Sequence, residues 1–141
     1  MLIGEYRPSI DAKGRINFPS KLREDLGESF IVTKSLGDKC LTAYSMEEWK
    51  KLEEKMASYP VSKAKAIQRF VFAGAVCAEP DKQGRVLIPQ TLRDYAGLSV
   101  GEIVVVGVSN RAEIWSVENW DTVNADIAAE SFDELLNELG F

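Results

Sequence analysis

Polar and apolar positions alternate through Arg15-Ile16-Asn17-Phe18, the period-2 pattern of a strand with one buried face. Asp11-Ala12-Lys13-Gly14 before it reads as a tight turn. The Asp carboxylate can accept from amides two or three residues on, and Gly14 supplies a positive φ. Pro19 ends the strand, and residues 20–26 predict one or two helical turns stopped at Gly27. Upstream, residues 4–10 mix apolar and polar side chains and read as an edge strand, since Pro8 has no N–H to donate. Downstream, residues 30–33 and 40–44 predict a hairpin about Leu36-Gly37-Asp38-Lys39. Ser45-Met46-Glu47-Glu48 is a capping box, with Ser45 placed to cap the Glu48 amide and Glu48 able to reach back. Behind it Trp49, Leu52 and Met56 recur at three and four residues, an amphipathic helix to about Ser58. After Tyr59-Pro60, Ser62 is the expected cap of a second helix. Its apolar side carries Ile67, Phe70 and Val71, and its polar side Lys63, Lys65 and Arg69.

The pattern then returns. At an offset of 70 residues Asp11, Gly14, Arg15, Pro19, Leu22 and Arg23 fall on Asp81, Gly84, Arg85, Pro89, Leu92 and Arg93, six identities in thirteen positions. The register reaches back from Gly4 to Gly74. It then slips by one, so that Ser45, Glu47 and Trp49 fall on Ser116, Glu118 and Trp120. The chain is a tandem duplication of one strand, turn, strand and short-helix module. The second copy has the more apolar strands, Val86-Leu87-Ile88 and residues 103–108, and is expected to be the better buried. Its helix opening at Ser116 places Trp120, Val123 and Ile127 inward. A further capping box, Ser131-Phe132-Asp133-Glu134, leads into a short acidic helix carrying Phe132, Leu135, Leu136 and Leu139. That helix packs either on its own module or on a neighbouring subunit. Three segments result: residues 1–73, 74–126 and 127–141, the two repeats sharing one α+β unit.

Composition removes several classes of function. Histidine is absent, so Ser-His and Cys-His nucleophile pairs and histidine metal clusters are excluded. Cys40 and Cys77 are too isolated for a metal knuckle and read as two buried reduced thiols. No apolar run approaches the roughly 18 to 20 residues of a membrane span, and no secretory pattern opens the chain, which predicts a soluble intracellular protein. Formal net charge is −5, yet residues 1–112 hold all 17 basic residues and 14 of the 22 acidic ones, a net of +3. The acidity belongs to the tail. Affinity for phosphate depends on where basic groups cluster, so the balance leaves nucleic acid open as a partner.

Asp-x-x-Gly-Arg, an alternating strand, then Pro and a Leu-Arg helix resembles the AbrB-like swapped-hairpin DNA binders. Two copies 70 residues apart, Gly4 near the start and the paired Ser-x-Glu-x-Trp segments resemble, over nearly the whole chain, the MraZ family of bacterial transcription regulators. The resemblance implies a tandem-duplicated AbrB-like swapped-hairpin β-barrel with flanking short helices. It also implies subunits joined in a ring and repression of the division and cell-wall gene cluster through double-stranded DNA. Localisation would be cytoplasmic and nucleoid-associated, with no cofactor, metal, membrane or small-molecule substrate.

The residues divide the roles. Lys13, Arg15, Lys82 and Arg85 are the candidate DNA contacts, because a guanidinium fork suits phosphate or a guanine edge. Asp11, Gly14, Asp81 and Gly84 are the candidate turn-forming and pairing residues, with each Asp–Arg set also able to pair across the two copies. Gln83 stands where the first copy has Lys13, which gives the first motif the greater weight as a contact site. Two other readings stay in view. One makes Asp11 and Asp81 a catalytic carboxylate pair, which lacks a phosphate loop, metal cluster or histidine to support it. The other is a structural or protein-binding ring scaffold without DNA readout.

Overall fold

The first strand of each repeat is paired with the hairpin of the other repeat rather than with its own. A computed structural model describes residues 1–127 and 130–141. The first repeat comprises β1 (Leu2–Tyr6), β2 (Ser9–Ile10), β3 (Arg15–Asn17), α1 (Ser20–Leu26), β4 (Phe30–Lys34), β5 (Leu41–Ser45), α2 (Met46–Ala57) and α3 (Val61–Ala73). The second comprises β6 (Val76–Ala78), β7 (Arg85–Leu87), α4 (Gln90–Ala96), β8 (Gly101–Ser109), β9 (Ala112–Ser116), α5 (Val117–Ile127) and α6 (Glu130–Glu138). Strands run β6-β4-β5-β9-β8-β2-β3-β7 with β1 added on β8, all pairings antiparallel. β1 lies on the second hairpin and β6 on the first, while β3 meets β7 and β5 meets β9 across the repeat. The result is a nearly closed barrel-like sheet flanked by helices, an α+β architecture that neither repeat builds alone.

The core is correspondingly shared. Ile10, Ile16, Phe18, Leu22, Phe30 and Leu41 of the first repeat pack with Val86, Ile88, Leu92, Ile103, Val105 and Ile114 of the second. Phe18 is 1% exposed and its ring centroid lies 5.1 Å from that of Phe30. Burying such a side chain contributes about 1.5–3 kcal/mol. β8 is buried on both faces, since Val104 and Val106 point the other way into a second cluster with Cys40 and Trp115. Trp120 and Val123 of α5 cover that cluster. On the other hairpin Trp49 is wedged between Tyr44 and Phe72, at 5.9 and 5.3 Å.

Local signals are answered unevenly. Ser45 accepts from the Glu48 amide at 3.2 Å as its capping box predicts, but the Glu48 carboxylate turns to Lys51, at 3.1 Å, instead of reaching back. The edge strand of residues 4–10 is two pieces, β1 and β2, lying along one side of β8 and interrupted at Arg7-Pro8. Ser62 is not a cap: Pro60 holds that position with φ −58° and an extended ψ of 135°, its carbonyl accepts from the Lys63 and Ala64 amides, and α3 begins at Val61. Ser131 likewise falls inside α6, which is already helical at Glu130, and the junction at 128–129 lies outside the described residues. Ile67 and Ile127, expected on inner faces, are 43% and 48% exposed. Leu87 is 59% exposed, so the second copy is not the better buried at this strand, because β7 repeats the in-out alternation of β3 whatever its side chains are. Cys40 is fully buried, and loss of solvation pushes its thiol up to about 12. Cys77 is exposed, contrary to the expectation for both thiols, because it sits on the outer side of β6 at the end of the sheet.

Candidate nucleic-acid interface

The two Asp-x-x-Gly-Arg motifs form the same turn twice. Gly14 has φ 86° and its amide donates to the Asp11 carbonyl, while Asp11 Oδ1 accepts from the Lys13 amide at 3.0 Å and the Arg15 amide at 2.9 Å. Asp11 Oδ2 then accepts from Arg15 Nε at 2.8 Å. Asp81 repeats every contact, with the amides of Gln83 and Arg85 at 2.9 Å and Arg85 Nε at 2.9 Å. Each carboxylate therefore organises its own turn. The amides served lie two and four residues on, and the Asp–Arg pairs are local rather than across the repeats.

What crosses the repeats is the arginine of the short helix. Arg93 donates from Nε to the Ile88 carbonyl at 2.8 Å and lays its guanidinium against Gly14. Arg23 donates to the Phe18 carbonyl at 3.1 Å and covers Gly84. A Cβ on Gly14 would stand 2.6 Å from Arg93 Nε and 2.8 Å from the Ile88 carbonyl, so this glycine is required by contact as well as by φ. The turns are further tied by the Phe18 amide on the Gly84 carbonyl and the Ile88 amide on the Gly14 carbonyl, at 3.0 and 2.8 Å. Arg23 and Arg93 were legible only as identities between the repeats, since they precede no turn of their own.

β3 and β7 thus make a two-stranded ribbon with register Arg15↔Leu87, Ile16↔Val86 and Asn17↔Arg85. Ile16 and Val86 face the core, and Arg15, Asn17, Arg85 and Leu87 share the outer face. Arg15 and Arg85 are diagonal neighbours there, roughly 7–8 Å apart by ribbon geometry. Both guanidinium groups bond their Asp through Nε, a charge-assisted contact that orients the fork. Their side chains are 33% and 36% exposed. Lys13, Lys82 and Gln83 stand exposed at the turn tips. All four candidate basic contacts therefore lie on one ribbon and its two ends.

The Asp carboxyls are held below their usual range, Asp11 chiefly by the Arg15 amide and Asp81 by the Arg85 amide, with desolvation pulling the other way. A group with a depressed folded pKa stabilises fully above its unfolded value of about 3.9 and loses that contribution as pH falls through the folded value. Melting temperatures between pH 5 and 2 should therefore drop less steeply for Asp11→Asn with Asp81→Asn than for the unsubstituted chain. At neutral pH Asp11→Ala should melt below Asp11→Asn, because an amide oxygen still accepts the two backbone N–H groups. Equal melting of the two would remove the turn-forming role.

Among the described residues there is no cluster of three or more His, Cys, Asp or Glu able to hold a metal, and no helix is long and apolar enough to cross a membrane. Fold and site together define a tandem swapped-hairpin barrel of the AbrB-like kind, presenting a doubled arginine ribbon. A family model described as MraZ protein matches residues 1–70 and again 71–139. The chain belongs to the MraZ family. It is 52% identical to "Transcriptional regulator MraZ" of Caldicellulosiruptor saccharolyticus over 144 residues, covering 99% of each chain. Proteins of the same name from Acetivibrio thermocellus and a Thermoanaerobacter species are 51% and 49% identical, again over 99% of each chain.

Proposed function

We propose that this protein is a sequence-specific DNA-binding transcription regulator, acting in the cytoplasm on the nucleoid as a repressor of the division and cell-wall gene cluster. The observation that carries the reading is the juxtaposition of Arg15 and Arg85 on the exposed face of one β ribbon. A two-stranded ribbon fits the major groove, where an arginine fork matches a guanine edge, and the same fork can pair with a phosphate of the flanking backbone. The names of the curated relatives support the same class. Lys13 adds a charge to the first turn that Gln83 does not add to the second, so the first motif is the stronger contact.

One chain offers few basic groups and a net charge of −5, so useful affinity comes from several subunits on one DNA. A ring built by a heterologous contact presents its ribbons in the same sense, and the matching operator is a series of direct repeats about 10 base pairs apart. The protein needs no cofactor for this. Footprinting upstream of the protein's own gene should reveal such repeats, and inverting one of them should weaken binding. Undiminished binding after inversion would contradict the ring-and-direct-repeat arrangement. Absence of any salt-sensitive DNA binding would instead favour a scaffold without DNA readout.

A further inference from the structure

A groove of about 340 Å³ runs between α2 and α3, formed by Leu52, Met56, Tyr59 and Ile67, with Lys55 and Lys63 at its rim. Tyr59 and Ile67 are 51% and 43% exposed, a large apolar opening for a helix pair already packed on β4 and β5. Along α3 the charged side chains are Lys63, Lys65 and Arg69, all exposed and all basic.

α6 carries the complementary surface. Phe132, Leu135, Leu136 and Leu139 recur at three and four residues along one face, yet Leu135 and Leu139 are 53% and 72% exposed. The helix closes on a Schellman turn in which Gly140 has φ 86° and the Phe141 amide donates to the Leu136 carbonyl at 2.8 Å. Phe141, just beyond that turn, is 86% exposed. The polar side holds Asp133, Glu134 and Glu138, with no basic residue in the helix. Within the chain α6 adjoins α5, which covers β8 and β9, whereas the groove lies over the hairpin of the other repeat.

We infer that α6 of one chain seats in the α2–α3 groove of a second copy, its leucines on Leu52 and Ile67 and its carboxylates toward Lys55 and Lys63. Apolar contact supplies the strength and the opposite charges the orientation. Donor and acceptor are different patches, so each copy can give its helix to one neighbour and receive a helix from another, which is the heterologous geometry of a ring. The inference deepens the ring assembly proposed above, and its test is made without DNA so that it stands or falls separately from DNA readout.

The experiment measures the mass of the full chain by sedimentation velocity and light scattering. Leu135→Glu with Leu139→Glu alters the helix; Ile67→Glu and, separately, Lys63→Glu alter the groove. All these positions are exposed, and circular dichroism checks that each variant is folded. The unsubstituted chain is expected to run as a multi-subunit species. The helix variant and Ile67→Glu should each fall to the mass of one chain, with Lys63→Glu in between. Mixing the helix variant with Ile67→Glu should give a dimer and nothing larger, because one intact helix then meets one intact groove. Full mass in the folded variants, no dimer on mixing, or a single-chain mass for the unsubstituted protein would overturn the inference. An Arg15→Ala chain should keep the full mass, so a failure of DNA binding is not read as a failure of assembly.

Discussion

The chain carrying both Arg15→Ala and Arg85→Ala should bind operator DNA about 100-fold more weakly than the unsubstituted protein while melting at nearly the same temperature. A well-placed arginine fork on a base edge is worth about 1–3 kcal/mol, and two such groups lie on the same exposed ribbon face. Arg15→Ala alone should cost more than Arg85→Ala, since Lys13 flanks only the first. The fold should survive because Ile16 and Val86, not the arginines, fill the core beneath the ribbon. Gel shifts over a salt series distinguish phosphate binding from base readout. An arginine that binds phosphate lowers the salt slope by about 1 when it is removed, whereas removal of one that reads a base relaxes the preference for sequence at a single position. Arg15→Ala uncovers the Asp11 carboxylate, and Arg15→Ala combined with Asp11→Asn shows how much of the weakening is repulsion. Arg15→Lys keeps the charge but not the fork, so it should recover phosphate binding better than base readout. A folded double variant with unchanged affinity would remove the ribbon from the DNA interface.

Gly107→Ala is expected to be the most damaging single methyl in the sheet. Gly107 lies opposite Gly4 where β1 is laid on β8. A Cβ there would meet the Ile3 amide nitrogen and stand 2.5 Å from the Leu2 carbonyl carbon and 2.7 Å from Ile3 Cα. All three are backbone atoms, which cannot swing aside as a side chain can. Relief requires β1 to lift from β8, breaking the pairings that join the first repeat to the second hairpin. The cost should be about 3 kcal/mol or more, the upper range for overpacking. That corresponds to roughly 10 °C in melting temperature for a domain of this size. Gly37→Ala is the control: its φ is 88° but nothing lies within 4 Å, so only the left-handed strain of about 1–2 kcal/mol is incurred. A Gly107→Ala protein that melts with the unsubstituted chain would contradict the seating of β1.

Much of the design was legible in residue order because it is local. Asp11-x-x-Gly14-Arg15 contains its own turn: acceptor, positive-φ residue and pairing partner all lie within five positions, and Asp81 to Arg85 repeats them. The hairpin of β4 and β5, the cap at Ser45 and the amphipathic α2 follow from short-range spacing in the same way. The 70-residue repeat further showed that whatever the first motif does, the second is built to do nearly the same, less the charge that Gln83 does not supply.

Contacts between distant segments had no such signal. Nothing in the strand pattern says that β1 pairs with β8 and β6 with β4, because an apolar edge is satisfied by any partner of matching register, and only packing of both repeats around one core selects the exchange. The need for glycine at 107 comes from a strand more than 100 residues away in the chain. Arg23 and Arg93 look like ordinary helix residues until the fold lays each over the other repeat's turn. Leu87 and Cys77 were misplaced for the same reason: apolar character suggests burial, but which face of a strand is inside is fixed by the layer packed against it. Residue order alone specified the turns, the repeat and the chemistry available at 13, 15, 82 and 85. That these residues meet on one ribbon is a property of the folded chain, since their proximity depends on β3 pairing with β7, its equivalent at an offset of 70 residues.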